Sequence, residues 1–373
     1  MSARNRLLVV VVAISVFVLV LAAIFSVLSG LSLFTDSIEP DETRIEADTP
    51  RYDPGVATTG TPSNSSNSGP VTVAFIADSG MTNDSRAVLR LIKREGADVV
   101  VHSGDFDYQN DPAAWSEMLN QELGPEFPVI ATMGNHDIYN WSEYQQQYRE
   151  RTERVDDLQC TGDLGLHSTC TFRGIAVVQT VDELCSLPSG DDEAFPAACG
   201  DYESYEPAQY IEQQLRAAET DWRICSWHLP NHYFQVGEKH GVPRSIYDSC
   251  REAGGDLIAT GDNHAYARTY PMANFTQTEI ASRSTPYTLG NGSAIALVTG
   301  ASGRSFYEPT EMATAEWWAK THTSGEFGAF FCTLRSDRTG TCYFKTIAGD
   351  VIDGPFEIRT RNATNHSTVN GSV

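Results

Sequence analysis

Short apolar runs that each end in a polar, glycine-containing loop recur along this chain, and they limit its fold more than its composition does. Val71–Ala77 runs into Asp78-Ser79-Gly80, and Asp98–Val101 leads to His102-Ser103-Gly104-Asp105. Helical stretches follow these runs at Ser85–Glu95 and Ala113–Leu123. Buried apolar runs that alternate with helices are typical of a parallel sheet covered on both faces. The sequence therefore predicts an α/β fold.

The same arrangement recurs four more times toward the C-terminus. A single strand-end Asp is usually a helix cap or a turn residue. Because ligands of parallel sheets bind beyond the carboxyl ends of the strands, we expect the polar loops to form one site at one sheet edge. The later runs and their loops are Val129–Thr132 with Gly134-Asn135-His136-Asp137, Trp222–Ser226 with His228, Asp256–Thr260 with Gly261-Asp262-Asn263-His264, and Ile295–Thr299 with Gly300-Ala301-Ser302-Gly303.

The N-terminal segment indicates the cellular compartment of the rest of the chain. Leu7–Phe34 contains no charged residue and is long enough to cross a bilayer as a helix. Arg4 and Arg6 precede it and acidic residues follow it, so the positive-inside rule places the rest of the chain outside the cytoplasm. A cleaved signal peptide is the alternative, although its apolar region is usually shorter, and the protein would then be secreted.

Composition divides the chain into four predicted segments. Residues 1–34 form a cytoplasmic N-terminus and a transmembrane signal anchor, and residues 35–70 form a disordered, acidic and Ser/Thr-rich stalk. Residues 71–358 form one folded domain at the cell surface or in the secretory-pathway lumen, and residues 359–373 form a flexible glycosylated tail. The formal net charge of −23 argues against nucleic acid as a partner, because phosphate backbones are bound by Lys and Arg.

Cysteines and glycosylation sequons agree with an extracytoplasmic domain. The eight cysteines include no C-x-x-C pair, which indicates disulfides rather than a zinc site. A predicted hairpin centred on Asp337 places Cys332 opposite Cys342. Loop locality alone suggests the other pairs, and eight cysteines leave many connectivities open: Cys160 with Cys170, Cys185 with Cys199, and Cys225 with Cys250. The sequons are at Asn64, Asn83, Asn140, Asn274, Asn291, Asn362, Asn365 and Asn370.

Five blocks of the predicted domain follow one another in a recognisable order. They are Asp78-Ser79-Gly80, Gly104-Asp105-Phe106-Asp107-Tyr108, Gly134-Asn135-His136-Asp137, Cys225-Ser226-Trp227-His228 and Gly261-Asp262-Asn263-His264. This order resembles the D-x-G, G-D-x-x-Y, G-N-H-D/E, V-x-x-H and G-H-x-H blocks of purple acid phosphatases, in the calcineurin-like metallophosphoesterase superfamily. The resemblance covers residues 71–358. It implies two central mixed β-sheets packed face to face and flanked by helices, an α/β/β/α sandwich.

The resemblance also implies two metal ions. The first would be held by Asp78, Asp105, Tyr108 and His264, and the second by Asp105, Asn135, His228 and Asp262. In the wider superfamily a ligating His stands where this chain has Gly80, and the Tyr108 phenolate would replace it. Carboxylate and phenolate ligands favour Fe(III) at the first position, with a divalent Fe, Mn or Zn ion at the second.

Asp262 departs from the family pattern, which has His at this position. One interpretation is a working second site shifted toward Mn(II) or Fe(II) and away from Zn(II). The other is a weakened or empty second site and a catalytically degenerate protein.

The function implied by the resemblance is hydrolysis of phosphomonoesters, of the acid phosphatase type, by a metal-bound hydroxide. His136 would contact the phosphate or protonate the leaving oxygen, and Asp137 would orient His136. His232 or His240 would be the general acid, unless both are solvated loop residues. A phosphodiesterase of the same superfamily is one alternative, although Tyr108 and Gly80 argue against it. A non-catalytic surface glycoprotein is the other, supported by Asp262.

Overall fold

Two large β-sheets form the centre of the fold in the computed structural model, which describes residues 69–181, 206–237, 239 and 241–361. The strands are β1 (Val71–Ile76), β2 (Val99–His102), β3 (Val129–Ala131), β4 (Leu158–Asp163), β5 (His167–Phe172), β6 (Ile175–Gln179), β7 (Trp222–Ser226), β8 (Leu257–Thr260), β9 (Tyr266–Thr269), β10 (Met272–Asn274), β11 (Glu279–Ile280), β12 (Tyr287–Leu289), β13 (Ile295–Thr299), β14 (Trp318–His322), β15 (Gly328–Leu334), β16 (Thr339–Thr346) and β17 (Val351–Thr360). The helices are α1 (Asn83–Arg94), α2 (Pro112–Glu122), α3 (Trp141–Thr152), α4 (Pro207–Ala217) and α5 (Arg244–Glu252).

Both large sheets are mixed. Over the described ranges, one sheet has seven strands in the order β12-β17-β16-β15-β1-β2-β3, and the other has eight in the order β14-β9-β13-β8-β7-β6-β5-β4. Strands β1, β2 and β3 run parallel in the first sheet. Strands β6, β7, β8 and β13 run parallel in the second. The predicted α/β fold with two mixed sheets is confirmed, whereas the expectation that all these polar loops share the edge of one sheet is wrong. Strands that are buried on both faces have the same apolar pattern in either sheet. The sequence pattern therefore does not show which strands belong to which sheet.

The two sheets pack face to face, and helices cover their outer faces. The Tyr266 ring of β9 stacks on Phe330 of β15 and on Phe344 of β16, at centroid distances of 5.8 and 4.1 Å. Helix α1 packs against β15 of the first sheet, and α4 packs against β6 of the second. Thr82 caps α1 by accepting a hydrogen bond from the Ser85 amide, at 3.0 Å, which fixes where the helix begins.

A buried ion pair also joins the two sheets. The Arg268 guanidinium on β9 donates to both carboxylate oxygens of Asp353 on β17, at 2.6 and 2.9 Å. The Tyr266 hydroxyl donates to the same carboxylate at 2.6 Å, and the guanidinium lies 4.0 Å from the centroid of the Phe356 ring. These contacts pair and hydrogen-bond both charges, as burial of an ion pair requires.

Three of the four predicted disulfides are present. Cys332 faces Cys342 across the β15–β16 hairpin with their Cα atoms 4.2 Å apart, as the hairpin register predicts. Cys160 joins Cys170 across β4 and β5, and Cys225 on β7 joins Cys250 on α5. The predicted pair Cys185–Cys199 lies outside the described residues.

Some predicted segments also lie outside the described part of the chain. These are the anchor at 1–34, the stalk up to residue 68, and the sequons at Asn64, Asn362, Asn365 and Asn370. At the C-terminal side, β17 continues to Thr360, two residues beyond the predicted end of the domain. In the ranges that the structure describes, no helix is both long enough and apolar enough to span a bilayer.

Candidate metal centre

The polar loops of the two sheets meet where their parallel strands end. The Ala77 amide, after β1, donates to the Thr299 carbonyl of β13 at 3.0 Å. The His228 Nδ1 atom, after β7, lies 2.7 Å from the Ser103 carbonyl oxygen that follows β2. The loops that carry the predicted metal ligands therefore come together at the carboxyl ends of strands from both sheets.

Four of these loop residues have a left-handed backbone. An L-residue rarely adopts a positive φ, and Asp tolerates it better than Tyr. The φ angles are +52° at Asp78, +59° at Asp105, +61° at Tyr108 and +59° at Asp262. Such conformations persist only where the surrounding structure enforces them, and they concentrate at functional sites.

Asp78, Asp105 and His228 form a buried cluster that could hold a metal ion. Their ligand atoms all lie within 4.8 Å of one another. The Asp78 Oδ2 atom is buried and has no hydrogen-bond partner among the described residues. An unpaired buried carboxylate oxygen is costly, and a metal ion is a usual partner for one. The donor set therefore fits a metal ion.

The charges within this cluster also favour a cation. Burial, together with the neighbouring Asp105 and Asp262 carboxylates, raises the pKa of Asp78 well above its usual range. Burial lowers the pKa of His228, but the Asp105 carboxylate at 3.3 Å outweighs it and raises this pKa to about 10. A cation among these groups relieves the repulsion between carboxylates.

Tyr108 and His264 complete the first predicted ligand set. The Tyr108 hydroxyl donates to Asp78 Oδ1 at 3.0 Å and lies 2.8 Å from His264 Nε2. Burial and the Asp78 carboxylate raise the pKa of Tyr108 above its ordinary value. Burial lowers the pKa of His264 to about 4, so its imidazole is neutral near pH 7. The Ser305 hydroxyl lies 2.6 Å from His264 Nδ1 and orients the ring.

The second predicted set is also assembled, but its donors already have partners. The His228 Nε2 atom lies 3.0 Å from Asn135 Oδ1. The Asp262 carboxylate forms an ion pair with Lys239, with 3.1 Å between Nζ and Oδ1. Burial lowers the pKa of Lys239, but the Asp262 carboxylate raises it above its ordinary value, so the lysine stays charged.

The structure gives Asp137 a different contact set from the one predicted. Its buried carboxylate accepts hydrogen bonds from the amides of Asp105, Phe106 and Gly134, at 2.9, 2.9 and 2.8 Å. These bonds tie the loop after β2 to the loop after β3. Asp137 therefore fixes the position of Asp105, while the exposed His136 ring lies over Tyr108, with 4.4 Å between ring centroids.

Of the two predicted general acids, His232 belongs to the described residues. His232 lies in a short 3₁₀-helix, His232–Phe234, where it is exposed and packs edge-on against Tyr233. His240 lies outside the described residues.

Two cations beside the centre were not predicted from the sequence. Arg304 lies over the Tyr108 ring, with its guanidinium carbon 4.7 Å from the ring centroid. Lys239 lies 5.0 Å from the centroid of the Tyr307 ring, which in turn stacks on His264 at 4.0 Å. Arg304 follows a Gly-rich loop at a strand end, which is the signal that could have identified it. Nothing in the sequence marks Lys239.

Comparison with known proteins agrees with the site geometry. A sequence model of the calcineurin-like phosphoesterase family matches residues 71–266. The chain belongs to this family. The match ends at the first residue of β9, and it includes the five blocks, which come from loops of both sheets.

Solved structures of other calcineurin-like folds are similar to this one. A purple acid phosphatase from yellow lupin, PPD1, superimposes with a TM-score of 0.57 at 17% identity, over 79% of this chain and 54% of the lupin chain. GAP50, described as the anchor in the inner membrane complex of Plasmodium, superimposes with a TM-score of 0.51 at 13% identity, over 78% of this chain and 90% of that chain. At these identities the similarity shows the fold. A search of curated proteins found no significant match.

Proposed function

We propose that this protein is a metal-dependent hydrolase of phosphomonoesters, of the acid phosphatase type. The observation that carries the proposal is the buried cluster of Asp78, Asp105 and His228, with the Tyr108 hydroxyl hydrogen-bonded to Asp78. Membership of the phosphoesterase family supports the reaction class. The Tyr108 contact supports the acid phosphatase branch, because a phenol has replaced the usual ligand beside Gly80.

Two overlapping ligand sets support a two-metal centre. Asp78, Asp105, Tyr108 and His264 would hold Fe(III), and Asp105, Asn135, His228 and Asp262 would hold a divalent Fe, Mn or Zn ion. Bound there, the ions would activate water and offset the charge of the phosphoryl group. The Ser103 carbonyl keeps a proton on His228 Nδ1, which leaves Nε2 to serve as the ligand atom.

The remaining residues would act on the substrate through position and charge. His136 is exposed above Tyr108, where it can contact the phosphate or protonate the leaving oxygen. Asp137 holds the loop that carries Asp105. Arg304 places positive charge beside the centre, which locally favours an anionic substrate in a chain whose net charge is −23.

Hydrolysis assays on the purified full chain test this proposal. We expect an aryl phosphomonoester to be hydrolysed faster than the matching bis-aryl phosphodiester between acidic and neutral pH. His136→Ala should lower kcat by about 10²- to 10⁴-fold if His136 transfers a proton. Asp221→Asn, which alters a half-buried ion pair with Arg338 outside both ligand sets, is the control. Faster hydrolysis of the diester would assign the protein to the phosphodiesterases instead.

We also propose that the domain lies outside the cytoplasm, held by the N-terminal segment. Three disulfides in the described residues support an oxidising compartment. Of the described sequons, Asn83 and Asn291 are exposed, whereas Asn140 and Asn274 are half-buried. Removal of N-glycans from protein expressed in a eukaryotic host should lower its apparent mass, and Asn83→Gln with Asn291→Gln should reduce that shift. An unglycosylated protein with alkylatable cysteines would contradict the assignment.

A non-enzymatic surface role on the same scaffold is the second candidate. The observation that favours it is the Lys239–Asp262 ion pair at the second ligand set. GAP50, which shares the fold, is described as an anchor. Protein that purifies without metal and hydrolyses neither ester would support this role.

A further inference from the structure

An ion pair lies within the second ligand set. The Lys239 ammonium group is 3.1 Å from Asp262 Oδ1, and the Asp262 side chain is only 6% exposed. The Lys239 side chain is 33% exposed and lies over the ring of Tyr307. The lysine therefore reaches from the surface to a buried carboxylate at the centre.

The two ligand sets differ in their unsatisfied atoms. In the first set, Asp78 Oδ2 is buried without a hydrogen-bond partner in the described ranges. In the second set, Asp262 pairs with Lys239, and His228 Nε2 lies 3.0 Å from Asn135 Oδ1. A cation bound to the first set satisfies this unpaired oxygen, although it also displaces the contacts of the Tyr108 hydroxyl. A cation bound to the second set gains no such oxygen and must displace another cation, the Lys239 ammonium group, from Asp262.

We infer that Lys239 competes with the second metal ion for Asp262, so that this chain binds its two ions with unequal affinity. The inference rests on the metal-dependent function proposed above. An ammonium group and a divalent cation cannot share one carboxylate at short distance without strong repulsion. The second ion therefore binds only when Lys239 leaves Asp262.

This competition gives a physical role to Asp262, which stands where the family pattern has His. A neutral His would attract no lysine, whereas an Asp attracts both a metal ion and an ammonium group. Without Lys239, the Asp262 carboxylate would add negative charge to a centre that already contains Asp78 and Asp105. Lys239 would neutralise this charge whenever the second ion is absent.

Metal titration of the full chain tests the competition directly. The metal content of the purified protein is measured first, and Mn(II) is then titrated into wild type, Lys239→Met and Lys239→Gln by calorimetry. Both variants remove the charge, and methionine also keeps the length of the side chain. We expect the second ion to bind about 10- to 100-fold more tightly in both variants, the range associated with groups that contact metal ligands. The affinity of the first ion should stay unchanged.

Arg304→Met is the matched control, because it removes one positive charge beside Tyr108 without a contact to Asp262. The inference is overturned if both Lys239 variants bind the second ion with the affinity of wild type. It is also overturned if Arg304→Met raises the affinity for the second ion as much as the Lys239 variants do. Melting temperatures show whether each variant is folded. If wild type binds two ions but hydrolyses no phosphomonoester, the proposed function is overturned and the inference about Lys239 is not.

Discussion

At the residue scale, Tyr108 makes the most diagnostic contact of the centre. Its hydroxyl lies 3.0 Å from Asp78 Oδ1 and 2.8 Å from His264 Nε2, and its backbone is held at a φ of +61°. A phenol in this position supplies an anionic oxygen only where a cation stabilises the phenolate, since burial raises its pKa.

Tyr108→Phe should therefore bleach the protein without unfolding it. Tyrosinate bound to Fe(III) absorbs visible light, so we expect a pink to purple wild type and a colourless variant. Absorption spectra, iron content and melting temperature of both proteins check this. A colourless wild type with full iron occupancy would contradict the assignment of Tyr108 as a ligand.

Asp262 gives a second prediction at this scale. Asp262→His should shift the preference of the second position toward Zn(II), because imidazole suits zinc better than a carboxylate-rich site does. Asp262→Ala should remove one metal ion and most turnover, as Asn135→Ala should, since both residues are assigned to the same ion. Metal analysis and kcat measure both effects. If Asp262→Ala keeps the metal content and kcat of wild type while His228→Ala is inactive, Asp262 is not a ligand.

At the scale of elements, the ion pair between β9 and β17 holds the two sheets together. Arg268 and Asp353 are 4% and 8% exposed, so breaking the pair leaves a buried charge. We expect Asp353→Ala to lower the free energy of unfolding by about 3–5 kcal/mol. Urea unfolding monitored by circular dichroism measures this loss.

The matched control for this prediction replaces both partners. Arg268→Met with Asp353→Leu leaves no unpaired charge, so it should cost much less than Asp353→Ala alone. An equal loss in the single and double variants would mean that side-chain packing, not the charge, accounts for the effect.

Much of the fold at this scale could be predicted from the sequence. The apolar runs gave β1, β2, β3, β7, β8 and β13 almost to the residue, because buried strands contain few polar residues. The hairpin around Asp337 fixed the register that joins Cys332 to Cys342. The division of these strands between two sheets could not be predicted in this way, because it depends on contacts between residues far apart in sequence.

The candidate site shows the same limit. Strand-end loops indicated Asp78, Asp105, His228 and His264, since parallel strands present their carboxyl ends together. The contacts of Lys239 and Arg304 depend on the tertiary placement of long, flexible side chains, which no local pattern encodes. The bonds from Asp137 to three backbone amides likewise exist only once two loops are packed together.

At the scale of the whole molecule, His167 contributes to the dependence of stability on pH. His167 on β5 is half-buried, and burial lowers its pKa from 6.5 to about 3. Between these values the unfolded chain binds a proton that the folded chain excludes. The stabilisation of the fold that is associated with neutral His167 is therefore fully present above pH 6.5 and is lost as the pH falls toward 3.

His167→Gln should weaken this pH dependence. Because the ring is partly exposed, the full shift is not expected. Between pH 7 and pH 5 the free energy of unfolding of wild type should fall by about 1–2 kcal/mol more than that of the variant. Urea unfolding at both pH values measures the difference. Parallel pH profiles in the two proteins would show that His167 does not titrate between the folded and unfolded states.

The central claim is that two ligand sets share Asp105, and metal analysis of Asp105→Asn against wild type tests it most directly. Asp105 is assigned to both sets, and it clusters with Asp78 and lies 3.3 Å from His228 Nε2, while its amide is held by Asp137. We predict two metal ions per wild-type chain, one of them iron, and loss of both in Asp105→Asn, whereas Asn135→Ala loses one. A wild type that binds a single ion when metal is in excess, or an Asp105→Asn variant that keeps both ions, would contradict the account.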